Sequence, residues 1–227
     1  MFKKFKELFG SENLLDTAFY TTIKMLKSDY KMYQASRATL RETDTTELPF
    51  DIRKMDRRIN KYLREVRRNV LTHLTIVGTQ NIVPGLVLVS IVIDVERIGD
   101  YTKNISELAV MHPKHLKGGV FEKDLVEMEK VIGDIFPRVI RVLEEQDIDE
   151  ASAILQQEDK TGKTVDHVLY SLVTKNNKTI TTSTAICLAL YIRHMKRINA
   201  HLTNIASAIV NPFPRIGFRQ KPMNKKK

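Results

Sequence analysis

Apolar side chains recur every three to four residues through most of this chain, and no segment shows the sustained alternation typical of a β-strand. Such a period predicts amphipathic helices, each of which buries one stripe against its neighbours. Glycine, proline and capping residues indicate where the helices end. We predict six helices, over about 11–42, 51–76, 84–111, 121–145 with a kink at Pro137, 147–175 and 182–210.

One segment of the third helix occurs twice. Residues 95–105 read Val-Glu-Arg-Ile-Gly-Asp-Tyr-Thr-Lys-Asn-Ile, and residues 195–205 repeat the Arg-Ile and Asn-Ile pairs at the same spacing. An echo of this kind indicates two copies of one structural unit. The fold predicted is therefore all-α, with two tandem three-helix repeats. We place the first repeat at 1–112, a linker at 113–120, the second repeat at 121–210 and a basic tail at 211–227.

The repeated segment differs between the copies in its charged positions. Glu96 and Asp100 lie one helical turn apart, which costs about 0.2–0.5 kcal/mol in an isolated helix. A divalent cation would turn this repulsion into attraction, since carboxylate oxygens suit such ions. Arg97 offers an alternative partner, so spacing alone leaves both readings open. The second copy has Lys196 and Ala200 at these positions.

Composition limits the class of protein. The chain is 42% hydrophobic, enough for a packed core, and its single cysteine, Cys187, excludes an internal disulfide framework. The N-terminus lacks the apolar core of a secretory signal, and the apolar stretch 82–93 is too short to span a bilayer. We expect a cytoplasmic protein.

The net charge of +10 is unevenly distributed. No Asp or Glu follows Asp166, whereas eleven Lys and Arg do, which leaves 26 basic and 27 acidic residues before that point. The C-terminal excess predicts an anionic partner, such as a lipid surface, an acidic protein or a nucleic acid, or else a solvated tail. Phe2, Phe5 and Phe9, with lysines between them, form an amphipathic segment that could touch a membrane or pack on the protein itself.

Histidine spacing gives little support to an enzyme. His194 and His201 are two turns apart, about 10 Å, which is too far for one metal ion and indicates a polar or interface surface. The chain has no Glu-x-x-His pair, phosphate-binding glycine loop or nucleophile motif.

Together, the segment Glu96-Arg97-Ile98-Gly99-Asp100, the following Asn104-Ile105 and the second copy resemble the signature of the PhoU family of phosphate-uptake regulators. This resemblance implies a six-helix PhoU-like bundle that acts as a regulator and not as an enzyme. It also implies metal ions (iron, magnesium, manganese or zinc) at acidic motifs, a homodimer, and restraint of a membrane phosphate transporter or a sensor kinase.

Matched residue by residue, the resemblance places a metal at Glu96 and Asp100. Asp56 and Asn60 resemble the family's acidic pair on the second helix, which makes Asp56 a third candidate ligand. Lys196 and Arg197 are the candidates for an anionic contact, at the inner face of the membrane. Two alternatives remain open: a basic helical nucleic-acid-binding protein and a metal-dependent phosphate-ester hydrolase.

Overall fold

A computed structural model describes residues 13–112, 114–157, 160–175 and 179–218. These residues form helices and turns and no β-strand, which confirms the all-α prediction. Short 3-10 turns occupy Gly78–Asn81, Gly119–Phe121 and Phe213–Arg215. The helices are α1 (Leu14–Glu42), α2 (Ile52–Val77), α3 (Ile82–Met111), α4 (Glu122–Glu145), α5 (Ile148–Gln156), α6 (Lys160–Thr174) and α7 (Thr182–Val210).

Side-chain caps fix several helix starts. Asn13 accepts hydrogen bonds from the backbone N–H groups of Leu15 and Asp16, and Asp51 accepts one from Lys54. Asp147 accepts from the N–H of Glu150, as the capping-box spacing predicts. Each cap satisfies donors that the first helical turn leaves without a partner, so these starts are determined locally. Residues 1–12 and 219–227, including the N-terminal phenylalanines and most of the basic tail, lie outside the described residues.

The single helix predicted over 147–175 is wrong. The chain instead forms α5 and α6, and Gln157 between them has an extended backbone (φ −61°, ψ 138°). No Gly or Pro marks this break in the sequence. When the Gln157 amide is oriented with its oxygen toward Arg138, this oxygen accepts a hydrogen bond from Arg138 Nη2 at 3.3 Å. A contact with α4 therefore accompanies a break that the local pattern does not reveal.

The two repeats pack side by side through α3 and α7. Both helices bury a continuous stripe, and one hydrophobic core extends across both repeats. The stripes contain Ile91, Val95, Ile98 and Ile105 on α3, and Ile192, Met195, Ile198, Leu202 and Ile205 on α7. The same helical period thus gives each copy a buried stripe, and the two stripes form the interface between the repeats. The exact domain limits stay a prediction.

Polar contacts also join the repeats. The His201 ring is only 8% exposed, and its Nδ1 lies 2.7 Å from Asp94 Oδ1 on α3. Asn204 donates to the same carboxylate oxygen at 3.2 Å. Between the first helices of the two repeats, Arg41 of α1 donates to Glu129 of α4 at 2.7 Å. His201 therefore belongs to the interface between the repeats, one of the two surfaces that its spacing predicts.

Candidate functional site

In the first repeat, the acidic pair on α3 already has a basic neighbour. Arg97 Nε lies 3.7 Å from a Glu96 oxygen, and its Nη1 lies 3.6 Å from an Asp100 oxygen. The Glu96 side chain is 20% exposed and that of Asp100 is 41% exposed. Arg97 thus partly compensates the like charges, which is the alternative that the spacing leaves open.

A third carboxylate lies beneath this pair, and the sequence reading missed it. Asp29 of α1 is fully buried, and neither of its carboxylate oxygens has a hydrogen-bond partner among the described residues. Gly99 of α3 permits this approach. A Cβ at Gly99 would lie 3.0 Å from Asp29 Oδ1 and 3.2 Å from Ile59 Cγ2 on α2. The glycine of the repeated segment is therefore the point where three helices converge on a buried acid.

The electrostatics of this cluster are unfavourable in the protein alone. Burial, and then the charges of Glu96 and Asp100, raise the pKa of Asp29 well above its usual range. Burial and Asp100 also raise the pKa of Glu96, although Arg97 and Arg67 oppose the shift. An unpaired buried carboxylate beside two others favours a proton or a cation. Such perturbed groups are typical of functional sites.

Asp56 is engaged elsewhere. Its Oδ1 accepts a hydrogen bond from Lys103 Nζ at 3.1 Å, and Asn60 Nδ2 lies 3.4 Å from its Oδ2. Its charge still contributes to the raised pKa of Glu96. Within the described ranges, no group of three or more His, Cys, Asp or Glu side chains is arranged to hold a metal ion. The assignment of Asp56, Glu96 and Asp100 as metal ligands stays a prediction.

The Asp29 carboxylate has the chemistry of a cation ligand, although the surrounding side chains that the structure describes are not arranged as a metal site. Asp29 has both oxygens available, and hard oxygen ligands are those that Mg²⁺, Mn²⁺ and iron accept. Glu96 and Asp100, whose charges act on Asp29, would supply the remaining carboxylates. Asp29, Glu96 and Asp100 are therefore only candidate donors for such an ion.

The corresponding region of the second repeat has the opposite character. Lys196 Nζ donates to Asp166 Oδ1 of α6 at 2.8 Å, and Lys196, Asn199 and Ala200 line a cavity. Among the described residues, no Asp or Glu lines this cavity. A metal ion does not fit here, because the site offers an ammonium group where a cation needs oxygen ligands.

Arg197 makes a contact between the repeats. Its Nε donates to the Tyr101 hydroxyl of α3 at 3.2 Å, and its guanidinium lies 5.7 Å from the centre of the Tyr101 ring. The Tyr101 ring also stacks on His201, with ring centres 5.8 Å apart. Whether Lys196 and Arg197 contact an anionic partner stays a prediction.

A strongly basic surface on α2 was also missed. Averaging charge over residues 1–166 concealed it, because acidic residues elsewhere balance the total. A count of charges along the segment 53–68 alone would have revealed it. Exposed along α2 are Arg53, Lys54, Arg57, Arg58, Lys61, Arg64, Arg67 and Arg68.

An exposed apolar surface lies where α2 ends and α3 begins. Leu71 is 69% exposed and Ile76 is 73% exposed, and three further aliphatic side chains follow them. By length and composition, one helical stretch in Ile52–Met111 would suffice to cross a membrane, although the core helix of a soluble bundle passes the same criterion. We refer to Leu71, Ile76, Ile82, Val83 and Leu86 as the apolar end.

Comparison with known proteins agrees with the two-repeat architecture. The PhoU domain matches residues 22–109 and again 125–209. The phosphate-specific transport system accessory protein PhoU homolog of Synechocystis is 21% identical over 165 residues, covering 72% of this chain and 73% of that protein.

Solved structures show the same fold. PhoU from Pseudomonas aeruginosa superposes with a TM-score of 0.76 at 18% identity, covering 86% of this chain and 95% of the other. The phosphate transport system regulatory protein PhoU from Streptococcus pneumoniae gives a TM-score of 0.71 at 14% identity, covering 86% and 92%. With both repeats matched and the helices superposed, the chain belongs to the PhoU family.

Proposed function

We propose that this chain regulates phosphate uptake and phosphate-starvation signalling, by contact with a membrane phosphate transporter or sensor kinase and without catalysis of its own. The observation that carries the proposal is the match of both three-helix repeats to the PhoU domain. The name of the Synechocystis relative, an accessory protein of a phosphate-specific transport system, supports the same role. The protein would act at the cytoplasmic face of the membrane, as a homodimer.

The surface of α2 supports the contact with a partner. Eight exposed basic side chains follow this helix over 53–68, about 22 Å at 1.5 Å per residue. The apolar end begins on the same helix, with Leu71 and Ile76, and extends into the start of α3. A basic row that leads into an apolar patch suits a partner with an acidic segment and an apolar contact, since charge directs the encounter and apolar burial stabilises it.

Metal binding at the first repeat is the second part of the proposal. Asp29, Glu96 and Asp100 would hold a divalent or transition metal ion, with Asp56 as a further candidate. The ion would complete the charge compensation that Arg97 provides only in part, and so couple α1 to α3. The supporting observation is the buried Asp29 carboxylate, which has no hydrogen-bond partner in the described part of the chain.

Phosphate uptake in cells tests the regulatory role. Deletion of the gene should raise phosphate uptake and polyphosphate content at high external phosphate, and the wild-type gene should restore both. Restoration should fail with Arg57→Glu, Lys61→Glu and Arg64→Glu combined on α2. The matched control is Lys123→Glu with Lys130→Glu on exposed positions of α4. Unchanged phosphate handling in the deleted strain would reject the proposed function.

Metal content tests the site separately. Glu96→Gln with Asp100→Asn should abolish metal retention in the purified protein, measured by elemental analysis, and leave helicity intact. Glu107→Gln, an exposed acid on the same helix, is the control. Equal metal content in the double variant and the wild type would remove Glu96 and Asp100 from the site.

The basic row also favours one alternative function, binding to nucleic acid. Neutralised phosphates release counterions, so such binding to duplex DNA should weaken steeply with salt. Titration of duplex DNA at about 50 and 200 mM salt distinguishes this alternative, because non-specific binding through several phosphates falls by roughly 10³-fold or more over that range. Weak binding without this salt dependence would leave the protein partner as the occupant of α2.

A further inference from the structure

The cavity beside Lys196 is the strongest unassigned feature of the second repeat. It has a volume of about 270 Å³ and lies between α4, α5, the start of α6, and α7. Gly217 and Phe218, which follow α7, contribute to its wall. Its size suits a small molecule, since one water needs only about 10–15 Å³ of such space.

One wall of the cavity is apolar. Ile135 of α4, Ile154 and Leu155 of α5, and Phe218 line it. In the first repeat, α1 places the Asp29 carboxylate beneath the repeated segment, whereas α4 offers aliphatic side chains here. This wall accommodates the carbon portion of a ligand.

Two residues that line the cavity carry polar atoms that the described chain does not satisfy. The Thr161 hydroxyl belongs to a side chain only 2% exposed, and no hydrogen-bond partner for it occurs in the described ranges. The Asn199 amide oxygen, one turn from Lys196 on α7, is buried and unpaired in the same way. A buried polar group left without a partner costs about 1–3 kcal/mol, so a ligand that hydrogen-bonds to both groups would be stabilised here.

The remaining polar groups of the cavity are already committed. Thr203 donates to the backbone carbonyl of Asn199 at 2.9 Å, and Ser207 donates to that of Asn204 at 2.6 Å. Asn204 in turn donates to Asp94, and the Gln157 amide oxygen, turned toward Arg138, accepts from its Nη2. The groups free to bind a ligand are therefore concentrated around Lys196, Thr161 and Asn199.

The charge of the cavity selects an anion. Lys196 is its charged lining residue, and its partner Asp166 has a side chain 70% exposed. An ion pair open to water contributes at most about 1 kcal/mol, so a ligand anion can replace Asp166. Lys196 Nζ and the Thr161 hydroxyl provide hydrogen-bond donors, and the unpaired Asn199 amide oxygen provides an acceptor. A phosphoryl group that keeps one proton offers oxygens to the two donors and an O–H to the acceptor, whereas an ionised carboxylate has no proton to donate.

We propose that this cavity binds a phosphoryl group, either as inorganic phosphate or at the end of a small organic molecule. Lys196 and Thr161 hold phosphoryl oxygens, the Asn199 amide oxygen accepts a hydrogen bond from a protonated one, and the apolar wall takes any organic portion. The second repeat thereby binds an anion at the position where the first repeat gathers carboxylates. The inference concerns binding alone and does not depend on the proposed function.

Calorimetric titration of the full purified chain, stripped of metal with a chelator, tests the proposal. Phenyl phosphate and inorganic phosphate are the two probes, and neutral benzyl alcohol tests the apolar wall without the charge. At least one phosphoryl probe should bind with a stoichiometry of one. Lys196→Met should weaken binding about tenfold or more, since a charged hydrogen bond contributes about 1.5–3 kcal/mol. Thr161→Val, which keeps the side-chain shape, should weaken it several-fold.

Lys31→Met, an exposed lysine on α1, is the matched control and should leave binding unchanged. Tighter binding of phenyl phosphate supports an organic phosphate, and equal or tighter binding of phosphate supports the free anion. Failure of both phosphoryl probes to bind overturns the proposal. It is equally overturned if Lys196→Met and Thr161→Val, both folded by circular dichroism, bind as the wild type does, or if benzyl alcohol binds as well as phenyl phosphate.

Discussion

The two repeats of this protein share a packing pattern and differ in what the pattern encloses. Residues of α3 and α7 separated by 100 positions bury equivalent apolar stripes, such as Ile98 with Ile198 and Ile105 with Ile205. On the polar side, the first repeat has Glu96 and Asp100 above a buried Asp29, and the second has Lys196 beside a cavity. The comparison shows that a helical scaffold constrains its buried stripe much more strongly than its polar face.

Gly99 and Asn199 illustrate this difference at one equivalent position. Gly99 brings α3 so close to Asp29 and Ile59 that a Cβ there would require these side chains to shift. Asn199 instead carries a side chain that lines a cavity. A single position thus determines whether the repeat closes on a buried acid or leaves space for a ligand.

Exchanging these two residues should produce the largest effect on stability. Gly99→Asn must place a side chain where even a Cβ would lie 3.0 Å from Asp29 Oδ1, so we expect a loss of about 2–3 kcal/mol in the free energy of unfolding. Asn199→Gly should cost at most about 0.5 kcal/mol, the difference in helix propensity. Urea denaturation of both variants measures the two values. Equal losses would show that the repeats are packed alike at this point.

The hydrogen bonds between the repeats should have the next largest effect. Asp94→Ala leaves the buried His201 and Asn204 without their shared acceptor, and we expect a loss of about 2 kcal/mol. Asp134→Ala, which removes an exposed carboxylate paired with Arg138, should cost at most about 1 kcal/mol. The same denaturation measurement compares them. A negligible effect of Asp94→Ala would mean that apolar contacts alone join the repeats.

Removal of the buried charge in the first repeat should stabilise the metal-free protein. Because the pKa of Asp29 is raised in the folded state, folding takes up a proton, and stability falls as pH rises from the ordinary carboxyl pKa of about 3.9 through the raised value. Asp29→Asn removes this penalty and should add about 1–2 kcal/mol at pH 7, with little difference from wild type near pH 3. Thermal melts across this pH range, in the presence of a chelator, provide the measurement.

The exposed Glu107→Gln is the control and should show no such pH-dependent difference. If Asp29→Asn is less stable than wild type at neutral pH in the absence of metal, the Asp29 carboxylate contributes favourable contacts to the fold instead of a cost.

The exposed lysines of the two repeats should have the smallest effects. Lys103 pairs with Asp56 at 3.1 Å and Lys196 pairs with Asp166 at 2.8 Å, and about a third of each lysine side chain is exposed. Lys103→Met and Lys196→Met should each change the free energy of unfolding by at most about 1 kcal/mol. A much larger loss for Lys196→Met alone would indicate that this residue supports the fold and not a ligand.

The acidic pair could be found from the sequence because comparison of the two repeats singles it out. The echo at 100 positions identifies Glu96 and Asp100 as the places where the copies diverge. Asp29 gave no comparable signal in the sequence. Its place beneath the acidic pair is evident only from the contact with Gly99. Similarly, no Gly or Pro at Gln157 predicts the helix break there.

By itself, the sequence determined the helical class, most helix limits and the two-repeat organisation, because periodicity, caps and repetition are local properties of the chain. Tertiary structure alone decided that Asp29 lies buried under the acidic pair, that His201 pairs with Asp94, and that Lys196 borders a cavity. These three facts depend on contacts between helices far apart in sequence. Burial and the electrostatics that follow from it are properties of the packed bundle, and no window of residues contains them.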